Sequence, residues 1–136
     1  MSDLTDSLAI SAAGMKVQGV RVRVISENMA NANSVADEPG GVPYRRKLIT
    51  FQNKLDREIG VNTVRVKNIV EDNSDFGERY LPSHPAANAE GFVQTSNVSG
   101  LIEMMDMKEA QRSYEANLNA LTISKSMLQK TVDLLR

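Results

Sequence analysis

Residues 98–135 read VSGLIEMMDMKEAQRSYEANLNALTISKSMLQKTVDLL, and the fold is decided there. Stepping in alternating threes and fours from Met104 gives Met104, Met107, Gln111, Tyr114, Leu118, Leu121, Lys125, Leu128, Val132 and Leu135. All but Gln111 and Lys125 are apolar, which is the stripe of a long amphipathic helix near the 3.5-residue period. No Pro or Gly interrupts it after Gly100. At 1.5 Å per residue such a helix is roughly 55 Å long. A stripe of that length in so short a chain needs a long partner.

The other end of the chain offers one. Met1, Leu8, Met15, Val22 and Met29 recur every seven residues, Ile10, Val17 and Val24 form a second row, and Leu4 and Ile25 support a third. The expected fold is mainly α, with long N- and C-terminal helices paired as a coiled-coil-like domain. A small β-rich or irregular insertion lies between them, giving segments 1–33, 34–97 and 98–136. The expected helix-pairing seam is Leu4, Leu8, Met15, Val22, Ile25 and Met29 on the first helix. On the second it is Met104, Met107, Tyr114, Leu118, Leu121, Leu128, Val132 and Leu135. An ordinary helical core gives the same spacings, so periodicity alone leaves both readings open.

Composition removes whole classes of function. The formal net charge is −1, and the three segments hold three basic and three acidic, eight and nine, and five and five side chains. No segment carries a single-sign field that would draw nucleic acid or anionic lipid. With no cysteine there is no disulfide framework, Cys-ligated zinc or thiol nucleophile. Aromatics are 4 % and Trp is absent, which suits layers of Leu, Met, Val and Ala. No uncharged run approaches the ~18 residues of a membrane span. Asp3 and Asp6 stand where a secretory signal needs basic residues, and Lys16 cuts the apolar run short, so export without a cleaved signal is the expectation.

The first helix is marginal by its own propensities. Gly14 and Gly19 each cost up to about 1 kcal/mol relative to Ala, and Val17, Val20, Val22, Val24 and Ile25 are β-branched. It ends in Asn28-Met29-Ala30-Asn31-Ala32-Asn33-Ser34, where Asn tolerates the left-handed conformation of a C-cap. All four prolines lie in the middle segment. Tyr44–Phe51 and Val61–Val70 read as short strands, and Gly91–Thr95 as a last one.

Candidate chemistry is thin. His84, the only histidine, sits between Ser83 and Pro85 with no nucleophile signature around it. Asp72 and Asp75 lack the ligand spacing and terminal Glu of a calcium loop. Tyr44-Arg45-Arg46-Lys47 is basic but short, and reads better as a strand rim or salt-bridge partner than as a phosphate site. No catalytic, cofactor or metal residue is assigned. What remains is apolar surface that two helices cannot cover, namely Ile10, Val17, Val24, Ile102, Met105, Ile123 and Met127. These are expected lateral subunit contacts. Repeated non-closing packing of copies or relatives yields a helical filament or tube. The competing readings are a soluble coiled-coil adaptor or dimer that never polymerises and a small hydrolase using His84.

Particular blocks go further. Asn28–Ser34, Gly40-Gly41-Val42-Pro43-Tyr44-Arg45-Arg46-Lys47, His84–Val93 with Ser96-Asn97-Val98, Glu103–Met107, Ala110–Asn117 and Lys125–Leu128 occur in order. Together they resemble the bacterial flagellar basal-body rod protein family, closest to its proximal rod member. Residues 53–78 carry the least of this signal, and Gln94-Thr95 stands where the family often has a proline. The resemblance implies a non-enzymatic rod subunit, assembling with its own copies and related rod proteins. It implies export unfolded by the flagellar type III apparatus, without a cleaved signal, and residence in the periplasmic basal body.

Overall fold

The computed structural model describes residues 2–136, so Met1 of the heptad row lies outside the described residues. Six elements follow in order: α1 (Ser2–Ala30), β1 (Lys47–Asp56), β2 (Val61–Glu71), β3 (Gly77–Tyr80), β4 (Phe92–Thr95) and α2 (Gly100–Leu134). Asp3 places its charge in the positive first turn of α1, and Thr5 Oγ1 donates back to the Ser2 carbonyl at 2.7 Å. At the other end Asn31 donates from its backbone N–H and its Nδ2 to the Glu27 carbonyl, at 3.2 and 2.8 Å. That satisfies a terminal carbonyl without a left-handed residue. Among the described residues positive φ occurs only at glycine, so the expected left-handed Asn cap is not used.

A mainly α, coiled-coil-like domain with a small insertion is not what forms. Helix accounts for 47 % of the chain and strand for about 22 %, in two antiparallel two-stranded sheets, β1–β2 and β3–β4. This is a mixed α/β fold. The chain divides into two compact units, and each draws on helix and strand. One unites the chain up to Val22 with Ile49–Asn68 and Lys108–Arg136; the other unites Arg23–Leu48 with Ile69–Met107. The physical reason lies in what the helices turn toward each other.

In the first unit α1 and α2 meet in part through small and polar groups. Ser7 Oγ and Ser124 Oγ lie 2.9 Å apart, and Arg21 pairs with Glu109 at 3.2 Å. At Gly14 a Cβ would meet Asn117 Oδ1 at 2.7 Å. Residues 7, 14 and 21 advance by seven while their partners retreat from 124 through 117 to 109, so the segments run antiparallel. Ala110 and Ser124 are accordingly buried and Asn117 half-buried, one position away from Gln111, Leu118 and Lys125, members of the expected stripe that stay exposed. Such a seam buries little apolar area, and strands do part of the covering. Val64 and Val66 of β2 share a groove with Ala9, Ala13, Val17 and Val20 of α1. The β1–β2 turn closes through Gly60 at φ +70°, whose N–H reaches the Asp56 carbonyl at 2.8 Å.

In the second unit β3 pairs antiparallel with β4 from Gly77↔Thr95 to Tyr80↔Phe92. The Tyr80 and Phe92 rings meet edge to face at 5.4 Å. Segment 34–36 extends the pairing, with Ala36 N–H on the Gln94 carbonyl and Ser96 N–H on the Ser34 carbonyl. Under it lies a small core of Ala36, Ala86 and Val93, flanked by Val35, Leu81 and Ala87. His84 belongs to the turn over this core: its Nδ1 accepts the Ala86 N–H at 3.0 Å.

The two helical glycines make opposite predictions. Nothing lies within 4 Å of a Cβ at Gly19, so Gly19→Ala raises stability by about 0.5–1 kcal/mol. Gly14→Leu drives a side chain into Asn117 and lowers stability by roughly 1–3 kcal/mol. Urea melts of the two variants check both signs.

Candidate functional site: a buried polar clasp

Asn28 and Glu103 each keep 1 % of their surface exposed, and both lie in the second unit. Continuing the seven-residue step from Arg21 and Ala110 leads to these two residues. Neither side chain is tolerable there unless all its polar atoms are met. Asn28 is met on every side. Its Oδ1 accepts from Tyr44 OH at 2.8 Å and from the Lys47 N–H at 2.9 Å. Its Nδ2 donates to the Lys47 carbonyl at 2.9 Å and to Glu103 Oε2 at 3.3 Å. The helix end thus holds the chain entering β1 as a sheet neighbour would, taking one N–H and returning one donor.

Glu103 is neutralised by Arg46. The guanidinium Nε donates to Glu103 Oε1, NH2 reaches Asp106 Oδ2 at 3.3 Å, and NH1 stands 3.6 Å from Asp72 Oδ2. Three carboxylates converge on one cation. Burial alone would lower the Arg46 pKa, but the bond and charge of Glu103, then Asp106 and Asp72, leave it raised. The Arg46 backbone is held as well, its N–H by Asn97 Oδ1 at 2.6 Å and its carbonyl by the Asp72 N–H at 2.8 Å. Asn97 Nδ2 donates to the Asp72 and Ser74 carbonyls, as does Arg45 NH1, whose guanidinium lies 4.2 Å from the Phe76 ring centre. Burial pushes the Tyr44 hydroxyl pKa up. At the rim Lys47 Nζ pairs with Glu27 at 3.0 Å, and that bond raises its pKa.

The arrangement ties five pieces of chain together: the end of α1, residues 44–47, residues 72–76, Asn97 and the first turns of α2. Its charged side chains are engaged with one another or with backbone carbonyls. Among the described residues no three His, Asp or Glu side chains gather as metal ligands; the guanidinium occupies the point where these carboxylates meet.

The sequence-expected residues fall into three groups. Leu4, Leu8, Met15, Val22, Met107, Leu121 and Leu128 are half-buried and Ile25 is buried. Met29, Met104, Tyr114, Leu118, Val132 and Leu135 are exposed. Val22 and Tyr114 line one groove of the first unit with Gly19 and Gln111. Of the expected lateral contacts, Ile10, Ile102, Met105, Ile123 and Met127 are exposed, at 44–63 %. Val17 and Val24, at 4 % and 2 %, are buried, Val17 in the first unit and Val24 in the second. Of the clasp residues Asn28 was legible only as part of a cap and Arg46 as a strand rim, while Glu103 stood only in a block that carries the resemblance. The signal that finds them is the polar row Glu103, Ala110, Asn117, Ser124.

Removing one partner of the clasp strands the others. Glu103→Ala leaves Arg46 with only Asp106 and Asp72 and one Asn28 amide hydrogen without an acceptor, and lowers unfolding free energy by about 1–3 kcal/mol. Asn28→Ala costs about 1–3 kcal/mol for each buried group it orphans. Chemical denaturation reads both. The clasp also has an acid limit. The Ser74 N–H on its carboxylate first, and Arg46 further down, hold Asp72 below its ordinary pKa of 3.8. Its stabilisation is fully present above that value and is lost as pH falls through the lower, folded one. Asp72→Asn therefore melts with a shallower dependence on pH below 3.8 than the parent chain.

Asn28, Tyr44–Lys47, Asn97, Glu103 and Asp106 of the clasp fall within blocks that carry the resemblance to rod proteins, whereas Asp72–Phe76 does not. The family described as flagellar basal body rod FlgEFG protein C-terminal matches residues 89–134. The flagellar basal-body rod protein FlgC of Agrobacterium fabrum is 46 % identical over 136 residues, covering 100 % of this chain and 98 % of its own length. FlgC of Bacillus subtilis is 41 % identical over 143 residues, covering 94 % and 95 %. FlgC of Escherichia coli O6:H1 is 36 % identical over 125 residues, covering 92 % of each. With identity this high along nearly the whole length, the chain belongs to the FlgC family of flagellar basal-body rod proteins.

Proposed function

We propose that this chain is a structural subunit of the flagellar proximal rod. It polymerises with its own copies and related rod proteins into the axial shaft that transmits torque and conducts exported subunits. The observation that carries the reading is the 46 % identity over the full chain to a rod protein. The clasp supports it, since its charged groups are engaged in holding the fold together. A soluble adaptor that never polymerises has no support in these relatives.

The same reading covers export and location. The chain leaves by the flagellar type III apparatus without a cleaved signal and assembles in the periplasmic space. A small core and a seam of Ser, Gly and Asn favour this route, because they make the ordered state inexpensive to undo before passage and leave apolar area to be buried afterward. Among the described residues no helix is long and apolar enough to cross a membrane. Segments 1–33 and 98–136 supply the assembly core, with 34–97 between them. Ile10, Ile102, Met105, Ile123 and Met127 make the lateral contacts, where exposed apolar area awaits cover.

Electron microscopy of basal bodies tests the role. Cells lacking the chain are expected to lack rods, and the intact gene restores them; intact rods in its absence overturn the proposal. Ile123→Asp combined with Met127→Asp is expected to keep the purified chain's melting temperature and still abolish rods, because buried unpaired charge costs several kcal/mol at a contact. Normal rods from the double variant remove these positions from the interface.

A further inference from the structure

Charges that alternate along the sequence are sorted by the fold. The unit containing α1 up to Val22, Ile49–Asn68 and Lys108–Arg136 holds eleven basic and seven acidic side chains, a net of +4. The unit of Arg23–Leu48 and Ile69–Met107 holds five basic and ten acidic, a net of −5. Its basic side chains are largely engaged, with Arg46 and Lys47 in ion pairs and Arg45 on carbonyls and a ring. The surplus of each sign is therefore borne by exposed groups.

Two local shapes match these signs. In the basic unit the tip of the β1–β2 hairpin surrounds a concavity of about 840 Å³ and carries Lys54, Arg57 and Arg65, with Leu55 53 % exposed beside them. Asp56 and Glu58 lie in the same place, but Asp56 is occupied in the turn, accepting the Glu58 N–H at 3.0 Å. In the acidic unit a pocket of about 250 Å³ is lined by Asn88, Gln94, the Gly40–Gly41 backbone and the partly exposed Phe92 above the buried Ala36, Ala86 and Val93, with Glu38 and Glu78 beside them. Among the described residues neither Arg57, Arg65, Glu38 nor Glu78 forms an ion pair. A mainly polar pocket edged by two carboxylates fits a cationic, multiply donating head group, which is what Arg57 and Arg65 present.

We infer that the hairpin tip of one copy docks, through Arg57 and Arg65, in the Glu38–Glu78 pocket of a second copy. This rests on the rod reading only in supposing that copies meet. The two surfaces lie on different units, so the contact is heterologous and each copy keeps one free tip and one free pocket. A net charge of −1 lets whole copies approach while the opposite local charges set their orientation.

Sedimentation of the purified full chain tests this. Screening shortens from about 30 Å at 0.01 M salt to about 8 Å at 0.15 M. Self-association is expected at the lower ionic strength and at least tenfold weakening at the higher. Arg57→Glu with Arg65→Glu, and separately Glu38→Arg with Glu78→Arg, each abolish association alone. Mixing the two variants restores it, since each then offers the charge the other lacks; that rescue excludes misfolding as the cause. Failure of the mixture to associate, association indifferent to salt, or no association of the parent chain at low salt overturns the inference. Rods that depend on the chain, together with reversed variants that still associate normally, sink this contact and leave the rod role standing. Rods intact without the chain sink the role and leave the contact.

Discussion

A carboxylate with 1 % of its surface in water must be neutralised where it stands, and at Glu103 that task falls to Arg46. Much of the second unit follows from this demand. Arg46 arrives on the extended segment leading into β1, so that segment has to run beside α2. Asn28 takes the remaining oxygen of Glu103 and binds both backbone groups of Lys47, so α1 has to end there. Asp72 and Asn97 fix the Arg46 backbone, which sets where β2 leaves and where the chain turns into α2. A hydrophobic cluster of Ala36, Ala86 and Val93 is too small to specify so many crossings. Directional bonds with buried charge do what a larger core does elsewhere, and they do so with little tolerance for a missing member.

The sequence disclosed the two helices because hydrophobic periodicity is additive over many residues. It did not show that Glu103, Ala110 and Ser124 of α2 are buried, because that rule weights Leu and Met and ignores Ala, Ser and a paired Glu. The rows at 104, 111, 118 and at 103, 110, 117 differ by one position, about 100° around the helix. Gly14 and Ser7 meet the second of these rows through Asn117 and Ser124. The strands were legible as β-branched runs, but their extent was not. Ten and eleven residues with mostly exposed side chains carry no alternation to count. The clasp stayed hidden because its members lie 16 to 75 positions apart, and no local pattern joins them.

The outcome is a subunit that keeps polar groups inside and apolar ones outside to an unusual degree. Glu103, Asn28, Ser11 and Ser124 are buried while Ile123, Met105 and Met127 stand in solvent. For an isolated globule this is poor economy. For a part whose apolar faces are finished only by its neighbours it is coherent, since stability is then divided between the chain and the assembly.

The Arg46 carbonyl and the Asp72 N–H close the foot of the β1–β2 hairpin before either strand has gone far. Everything beyond that closure, from residue 47 to residue 71, is an excursion whose ends are already pinned. Lengthening such an excursion changes loop entropy only logarithmically and disturbs none of the bonds beneath it. The foot of the hairpin thus separates the bonds that fix this part of the fold from a projection whose length can change at little cost to them.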